Sequence, residues 1–310
     1  MSEGLCVGVD VGGTNLRVGV VRGQEVLWES RYQADFSGMC RAHAPERALA
    51  EIVAALAEAI GGARRAYPRI DAVGIGFPGF IDPASGVVSL SPNLPGLRNA
   101  DIAAPLARQL GLPVRMENDA LAAAYGEYLL AEERPESLVY LGLGTGVGGG
   151  LILGGRAYPG QHGVSMEVGH IIVRPGGRPC GCGNRGCLEQ YASASGVEIS
   201  YRELAGQTAD TVAIAARARQ GDAHAMEAFS IAAQALAAAL AHILKVVDVG
   251  TVIIGGGMCA AWPLLQARFE AALEADLIPA LRGRVRVSLA QAGDRAGMLG
   301  AAALAATSSG

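Results

Sequence analysis

A chain of 310 residues, half of them apolar, can bury a sizeable core, and at about 150 residues per domain two domains are expected. A net charge of −4 without a clustered basic patch argues against a nucleic-acid surface. The N-terminus has no basic n-region, which argues for a cytoplasmic location, and six cysteines there argue against a disulfide framework. Glycine, at 44 residues, is about twice its usual share and is expected mostly in turns where backbone must approach something closely.

Leu5–Val9 reads as a short apolar strand, Asp10-Val-Gly-Gly-Thr14 as a turn, and Leu16–Val21 and Val26–Tyr32 as two further strands. Pro45–Tyr67 has helical spacing. Ala72–Phe77 reads as a buried strand ending at Pro78-Gly79, Ile102–Leu110 as a helix, Val114–Glu117 as a strand and Asp119–Glu133 as a helix. Ser137–Leu143, the glycine turn Gly144–Gly150 and Leu151–Leu153 repeat the opening strand–turn–strand pattern. Ala213–Val247 reads as mostly helical. Its most apolar stretch, Ala228–Leu244, holds Ser230, Gln234 and His242 and is too polar and short for a membrane span. Thr251–Ile254 runs as a strand into Gly255–Gly257, followed by a helix at Trp262–Leu281, a strand at Val285–Leu289 and an Ala-rich helix at Gly297–Ala306. The alternation predicts an α/β protein. The duplicated pattern predicts two similar domains facing a shared cleft, divided near residues 117–135.

Gly12 and Gly13 carry no side chains, so their N–H groups can point at phosphate oxygens, and Thr14 adds a hydroxyl. Asp10 suits Mg²⁺ held through water. An ordinary tight turn explains the same residues. The second turn lacks the Walker pattern. Gly144-x-Gly146-x-x-Gly149 matches a dinucleotide fingerprint as a string, but a strand follows it where that motif requires a helix. With Gly255–Gly257, three glycine turns suit a nucleotide clamped between two domains.

Glu117-Asn-Asp119 lies between a strand and a helix. Two readings stand: a helix cap, or a general base for a hydroxyl nucleophile. Asn93, Glu167, His170 and Glu189 are polar groups of the kind that pair with sugar hydroxyls, with a plain turn as the alternative for Asn93. His170, Cys180, Cys182 and Cys187 form a candidate closed tetrahedral Zn²⁺ site on a glycine-loosened loop. A redox role for Cys180 and Cys182 is the alternative. Cys6, Cys40 and Cys259 are isolated and read as core residues.

Together, Asp10–Thr14, Glu117–Asp119, Leu143–Gly150, Glu167-Val-Gly-His170 and Cys180-Gly-Cys-Gly-Asn-Arg-Gly-Cys-Leu-Glu189 resemble the ROK family of repressors and sugar kinases, from Leu5 to about Ala305. The resemblance implies an actin-like (ribonuclease H-like) ATPase fold of two domains flanking a cleft. The smaller α/β domain would take residues 1–119, with residues 297–310 packing back on it. The larger, zinc-bearing domain would take residues 120–296. The resemblance also implies Asp119 as catalytic base. It implies nucleotide contacts at Asp10, Gly12, Gly13, Thr14, Thr145, Gly146, Gly255, Gly256 and Gly257. Sugar contacts would come from Gly79, Asn93, Asn118, Asp119, Glu167, His170 and Glu189. His170 would ligate zinc as well, with Cys180, Cys182 and Cys187.

The activity implied is ATP- and Mg²⁺-dependent phosphorylation of the 6-hydroxyl of a hexose, glucose first, at the entry to glycolysis. The alternatives are an N-acetylglucosamine or N-acetylmannosamine kinase, and a catalytically silent sugar sensor. Implied partners are the sugar and ATP only, in a homodimer or homotetramer. The chain starts directly at the phosphate strand, so the repressor branch with its N-terminal helix-turn-helix is not expected. Leu97 stands where many family glucokinases carry Trp, a departure from the strict glucose pattern.

Overall fold

The computed structural model describes residues 4–307. In chain order they form β1 (Leu5–Val11), β2 (Asn15–Arg22), β3 (Glu25–Gln33), α1 (Phe36–Ala42), α2 (Pro45–Ala66), β4 (Ala72–Phe77), β5 (Phe80–Ile81), β6 (Val88–Leu90), β7 (Arg98–Ala100), α3 (Ala103–Leu110), β8 (Val114–Asn118) and α4 (Asp119–Leu130). Then come β9 (Leu138–Leu143), β10 (Val147–Leu153), β11 (Arg156–Ala157), α5 (Glu189–Ala192), α6 (Ala194–Ala205), α7 (Thr211–Arg219), α8 (Ala223–Val247), β12 (Thr251–Gly255), α9 (Trp262–Asp276), β13 (Arg286–Leu289) and α10 (Ala296–Ala306). Contacts divide the chain into two compact units. One takes the described residues up to 136, residues 150–166 and those from 291 on; the other takes 137–149 and 167–290.

The first unit is built on a sheet of order β3-β2-β1-β4-β8. β2 is antiparallel to its neighbours, whereas β1, β4 and β8 run parallel. Strand alternation sends successive side chains to opposite faces. Val7, Val9, Val11, Val73, Ile75 and Phe77 join the core cluster that also holds Ile52, Leu56, Ile60 and Ala63 of α2. Those α2 positions recur at helical spacing, which is why this segment is a helix covering the sheet. The opposite face is nearly bare: Gly8 pairs with Gly19 on β2 and with Gly74 on β4. A Cβ on Gly8 or Gly74 would overlap the α10 backbone at Met298 or Ala301. The glycines admit a helix at backbone distance, so part of the glycine excess is spent in strands rather than in the expected turns.

α4 also belongs to this unit, and the division falls at 136/137 rather than at the expected 119/120. A Cβ on Gly126 would overlap the Ala296 carbonyl, and one on Gly300 the Ala122 carbonyl, so α4 and α10 meet backbone to backbone. Glu127 strengthens the join: its buried carboxylate accepts from Gln291 N and Ala292 N, each at 2.9 Å.

A second sheet has order β11-β10-β9-β12-β13, the order of the first sheet repeated. Its β9, β12 and β13 run parallel. The duplicated strand–turn–strand is therefore a duplicated sheet topology. Gly148–Gly150, expected in the turn, lie in β10 instead. A Cβ on Gly150 would overlap the Ala124 side chain of α4.

The expected helix at 213–247 is two helices. Gly221, at φ +89°, breaks it, and Asp222 caps α8 by accepting from Ala225 N at 2.9 Å. α8 has 25 residues and is long and apolar enough to cross a membrane, which corrects the sequence expectation; 56% of its most apolar stretch is buried inside the protein. It packs on α5, α6, α7 and α9. Sequence periodicity missed α1, α6 and the small sheet β5-β6-β7.

Candidate active site

In the first unit the candidate groups gather at the carboxyl ends of the parallel strands. Two residues beyond the glycine row, Arg17, Asp10, Gly76 and Glu117 pair in register as one rung across β2, β1, β4 and β8. Gly76 leaves a gap in that rung, and α4 enters it. A Cβ there would lie 3.3 Å from Ala122 Cβ and 3.5 Å from Asp119 Cα. This places the start of α4, and Asp119 with it, beside Asp10. Burial raises the Asp119 carboxyl above the ordinary aspartate range. Burial, then the Asp119 charge, pushes Asp10 up to about 7 against the opposing pull of Arg17. Arg17, itself buried, is held by Glu29 at 2.7 Å and Asp294 at 3.0 Å. Neither Arg17 nor Gly76 was singled out from sequence; the signal is their register with Asp10, which appears only once the strands pair.

The cap reading of Asp119 is decided here. Asn118 caps α4, its Oδ1 accepting from Leu121 N at 3.0 Å. The Asp119 carboxylate instead accepts from the backbone beside it, Ala120 N at 2.8 Å and its own N–H. Asn118 Nδ2 donates to the Gly79 carbonyl at 3.1 Å. Gly79 sits at φ +134°, and a Cβ there would come within 2.7 Å of the Leu90 carbonyl oxygen. Ser91, buried, donates to the Pro78 carbonyl at 2.7 Å. That bond seats the turn bearing Asn93, whose side chain is exposed. Gly12, Gly13 and Thr14 are exposed at the β1–β2 turn, closed by Gly12 N donating to Asn15 O at 2.9 Å.

The second unit repeats this arrangement at the ends of β9 and β12. Gly142 pairs with Gly255, so the turn Gly144–Gly146 and the glycines Gly255–Gly257 leave adjacent parallel strands. Gly256, at φ +86°, lies against the Leu143 backbone, where a Cβ would collide. Carboxyl ends of parallel strands are where α/β sheets bind ligands. Glu189, at the start of α5, turns toward the same place: its Oε2 accepts from Val147 N at 3.1 Å.

His170, Cys180, Cys182 and Cys187 converge, their ligand atoms all within 4.8 Å of one another. His170 Nδ1 lies 3.7 Å from Cys180 Sγ, and Cys182 Sγ lies 3.7 Å from Cys187 Sγ. Bonds of about 2.3 Å to a tetrahedral zinc place two sulfurs about 3.8 Å apart. The four donors therefore fit Zn²⁺ with no position left open. The other ring nitrogen of His170, Nε2, lies 3.9 Å from Glu167 Oε2, beyond direct hydrogen-bond reach. Burial pushes the Cys187 thiol up to about 12, whereas the Asn184 backbone N–H lowers that of exposed Cys182.

The ROK family model matches residues 6–308. The chain belongs to the ROK family. It is 34% identical over 317 residues to the glucokinase of Thermotoga maritima, covering 96% of each chain. It is 32% identical to the N-acetyl-D-glucosamine kinase of Pasteurella multocida, over 96% of this chain and 98% of that one. A crystal structure of a ROK family glucokinase from Streptomyces griseus in complex with glucose and AMPPNP superposes with a TM-score of 0.83 at 33% identity, over 98% of this chain and all of that one. The fold is thus the actin-like ATPase fold of ROK sugar kinases. Leu97 is buried in the core of the first unit.

Proposed function

We propose that this ROK protein is an ATP-dependent hexose kinase that transfers the γ-phosphoryl group to the 6-hydroxyl of its sugar, with glucose as the preferred acceptor. The observation that carries the proposal is Asp119: buried enough for its carboxyl to be raised, beside Asp10, and relieved of the capping role by Asn118. A carboxylate in that state is a stronger base than one in water, and it accepts the hydroxyl proton as the oxygen attacks phosphorus. The proton stays on Asp119 until product leaves.

Gly12, Gly13, Thr14, Thr145 and Gly146 offer backbone N–H and hydroxyl donors to the phosphates, and Gly255–Gly257 leave room for the nucleoside. Asp10 is the residue that would hold Mg²⁺, which screens phosphate charge when bound. Gly79, Asn93, Asn118, Glu167, His170 and Glu189 are assigned to the sugar. Zn²⁺ at His170, Cys180, Cys182 and Cys187 holds the loop that carries two of these groups and takes no part in phosphoryl transfer. We assign the enzyme to the cytoplasm, which supplies ATP, and to a homo-oligomeric state.

The second reading is an N-acetylhexosamine kinase, favoured by nearly equal identity to relatives of both kinds. A silent sensor accords poorly with an Asp119 released from capping. The deciding experiment is a coupled ADP-release assay across glucose, N-acetylglucosamine, N-acetylmannosamine, fructose and allose. The proposal expects glucose to give the highest kcat/KM. Turnover of an N-acetyl sugar well above that of glucose selects the second reading, and no turnover with any of them selects the sensor.

A further inference from the structure

The turn Gly144–Gly146 is gripped from one side by the segment that follows the cysteine loop. Ala194 N donates to the Gly144 carbonyl at 2.9 Å. Ser195 Oγ donates to the Thr145 carbonyl at 3.1 Å. Glu189 Oε2 accepts from Val147 N at 3.1 Å. The segment is tied within itself: Ser193 caps α6, accepting from Gly196 N at 2.9 Å while donating to the Glu189 carbonyl at 2.6 Å. It begins two residues after Cys187, the last cysteine of the metal cluster.

A trans peptide points its C=O and N–H in opposite directions. With the Gly144 and Thr145 carbonyls drawn toward α6, the N–H groups of Thr145 and Gly146 must face away from it. Neither of these two N–H groups has a protein acceptor in the described structure. Two successive N–H groups aimed the same way make an anion-binding concavity. The Thr145 carbonyl is the critical one, because the turn tip is exposed and Ser195 is its partner.

We propose that Ser195 is a positioning residue for the nucleotide. By holding the Thr145 carbonyl it aims the Gly146 N–H at phosphate, and residues 187–195 thereby fasten the nucleotide turn to the cysteine loop and to Glu189. The proposal rests on the kinase reading only for the identity of the anion, a nucleotide phosphate.

The test uses the full-length protein with its metal content measured, as wild type, Ser195→Ala and Ser195→Thr. Calorimetry gives the affinity for Mg·AMPPNP, and steady-state kinetics give KM for ATP and for the sugar. Loss of one hydrogen bond should weaken AMPPNP binding and raise KM for ATP about threefold to tenfold in Ser195→Ala. Sugar KM, kcat at saturating ATP, metal content and Tm should stay at wild-type values, and Ser195→Thr should restore affinity. Wild-type AMPPNP affinity in Ser195→Ala overturns the proposal, as does an equal rise in sugar KM, which marks general loosening. The calorimetric arm needs no turnover, so it decides the role of Ser195 even where the sugar assay defeats the kinase reading.

Discussion

Asn118 Nδ2 donates to the Gly79 carbonyl at 3.1 Å while its Oδ1 caps α4. One side chain thus joins the turn after β4 to the helix that starts with Asp119. Removing that bridge by Asn118→Ala should cost about 1 kcal/mol as a lost cap. It should also lower kcat/KM more than stability, because Asp119 loses its fixed approach. Paired thermal melts and sugar kinetics check the split.

Asp119→Asn should reduce kcat by about 10²- to 10⁴-fold, the usual worth of a general base. Calorimetric sugar affinity should remain within a few-fold of wild type, since amide and carboxylate both accept hydrogen bonds. Retention of most turnover defeats the assignment.

With Asp119 as base, its raised carboxyl should set the acid side of the pH profile. The base must be ionised, so kcat/KM should fall as pH drops through an apparent pKa above the ordinary aspartate range. The stability effect has the opposite sign. A folded-state pKa above the unfolded one means the native state binds the extra proton, so stability is lost as pH rises from the unfolded value through the folded one. Ligand-free wild type should therefore lose stability against Asp119→Asn over that interval, read as the difference in Tm between the two proteins.

Two glycines should separate packing from chemistry. Gly300→Ala places a methyl into the Ala122 carbonyl and should destabilise by about 1–3 kcal/mol or prevent folding. Gly13→Ala meets nothing within 4 Å. It should leave Tm unchanged yet raise KM for ATP, because only a bound phosphate contests that space. Equal Tm losses in both variants defeat the assignment of Gly13.

Zinc should be present at about one equivalent per chain by metal analysis of freshly purified protein. Cys187→Ser, which removes a buried ligand, should lose the metal, lower Tm and raise sugar KM through His170 and Glu189. Full activity in metal-free protein defeats the role assigned to the ion.

The α/β class, the repeated strand–turn–strand, the four candidate metal donors and the family are all legible along the chain. Each of these is written in short-range order: alternation of apolar residues, glycines directly after strands, three cysteines within eight positions. The rest emerges from long-range packing. Asp119 and Asn118 are neighbours in one motif, and nothing in spacing says which of them caps the helix; the hydrogen bonds do. Gly76 and Arg17 are ordinary strand residues until pairing puts both in register with Asp10. The division at 136/137 depends on Gly126 and Gly300 meeting α10 and α4 from positions 174 residues apart along the chain. Contacts of that kind depend on backbone distance between elements remote in sequence, and local periodicity carries no record of it.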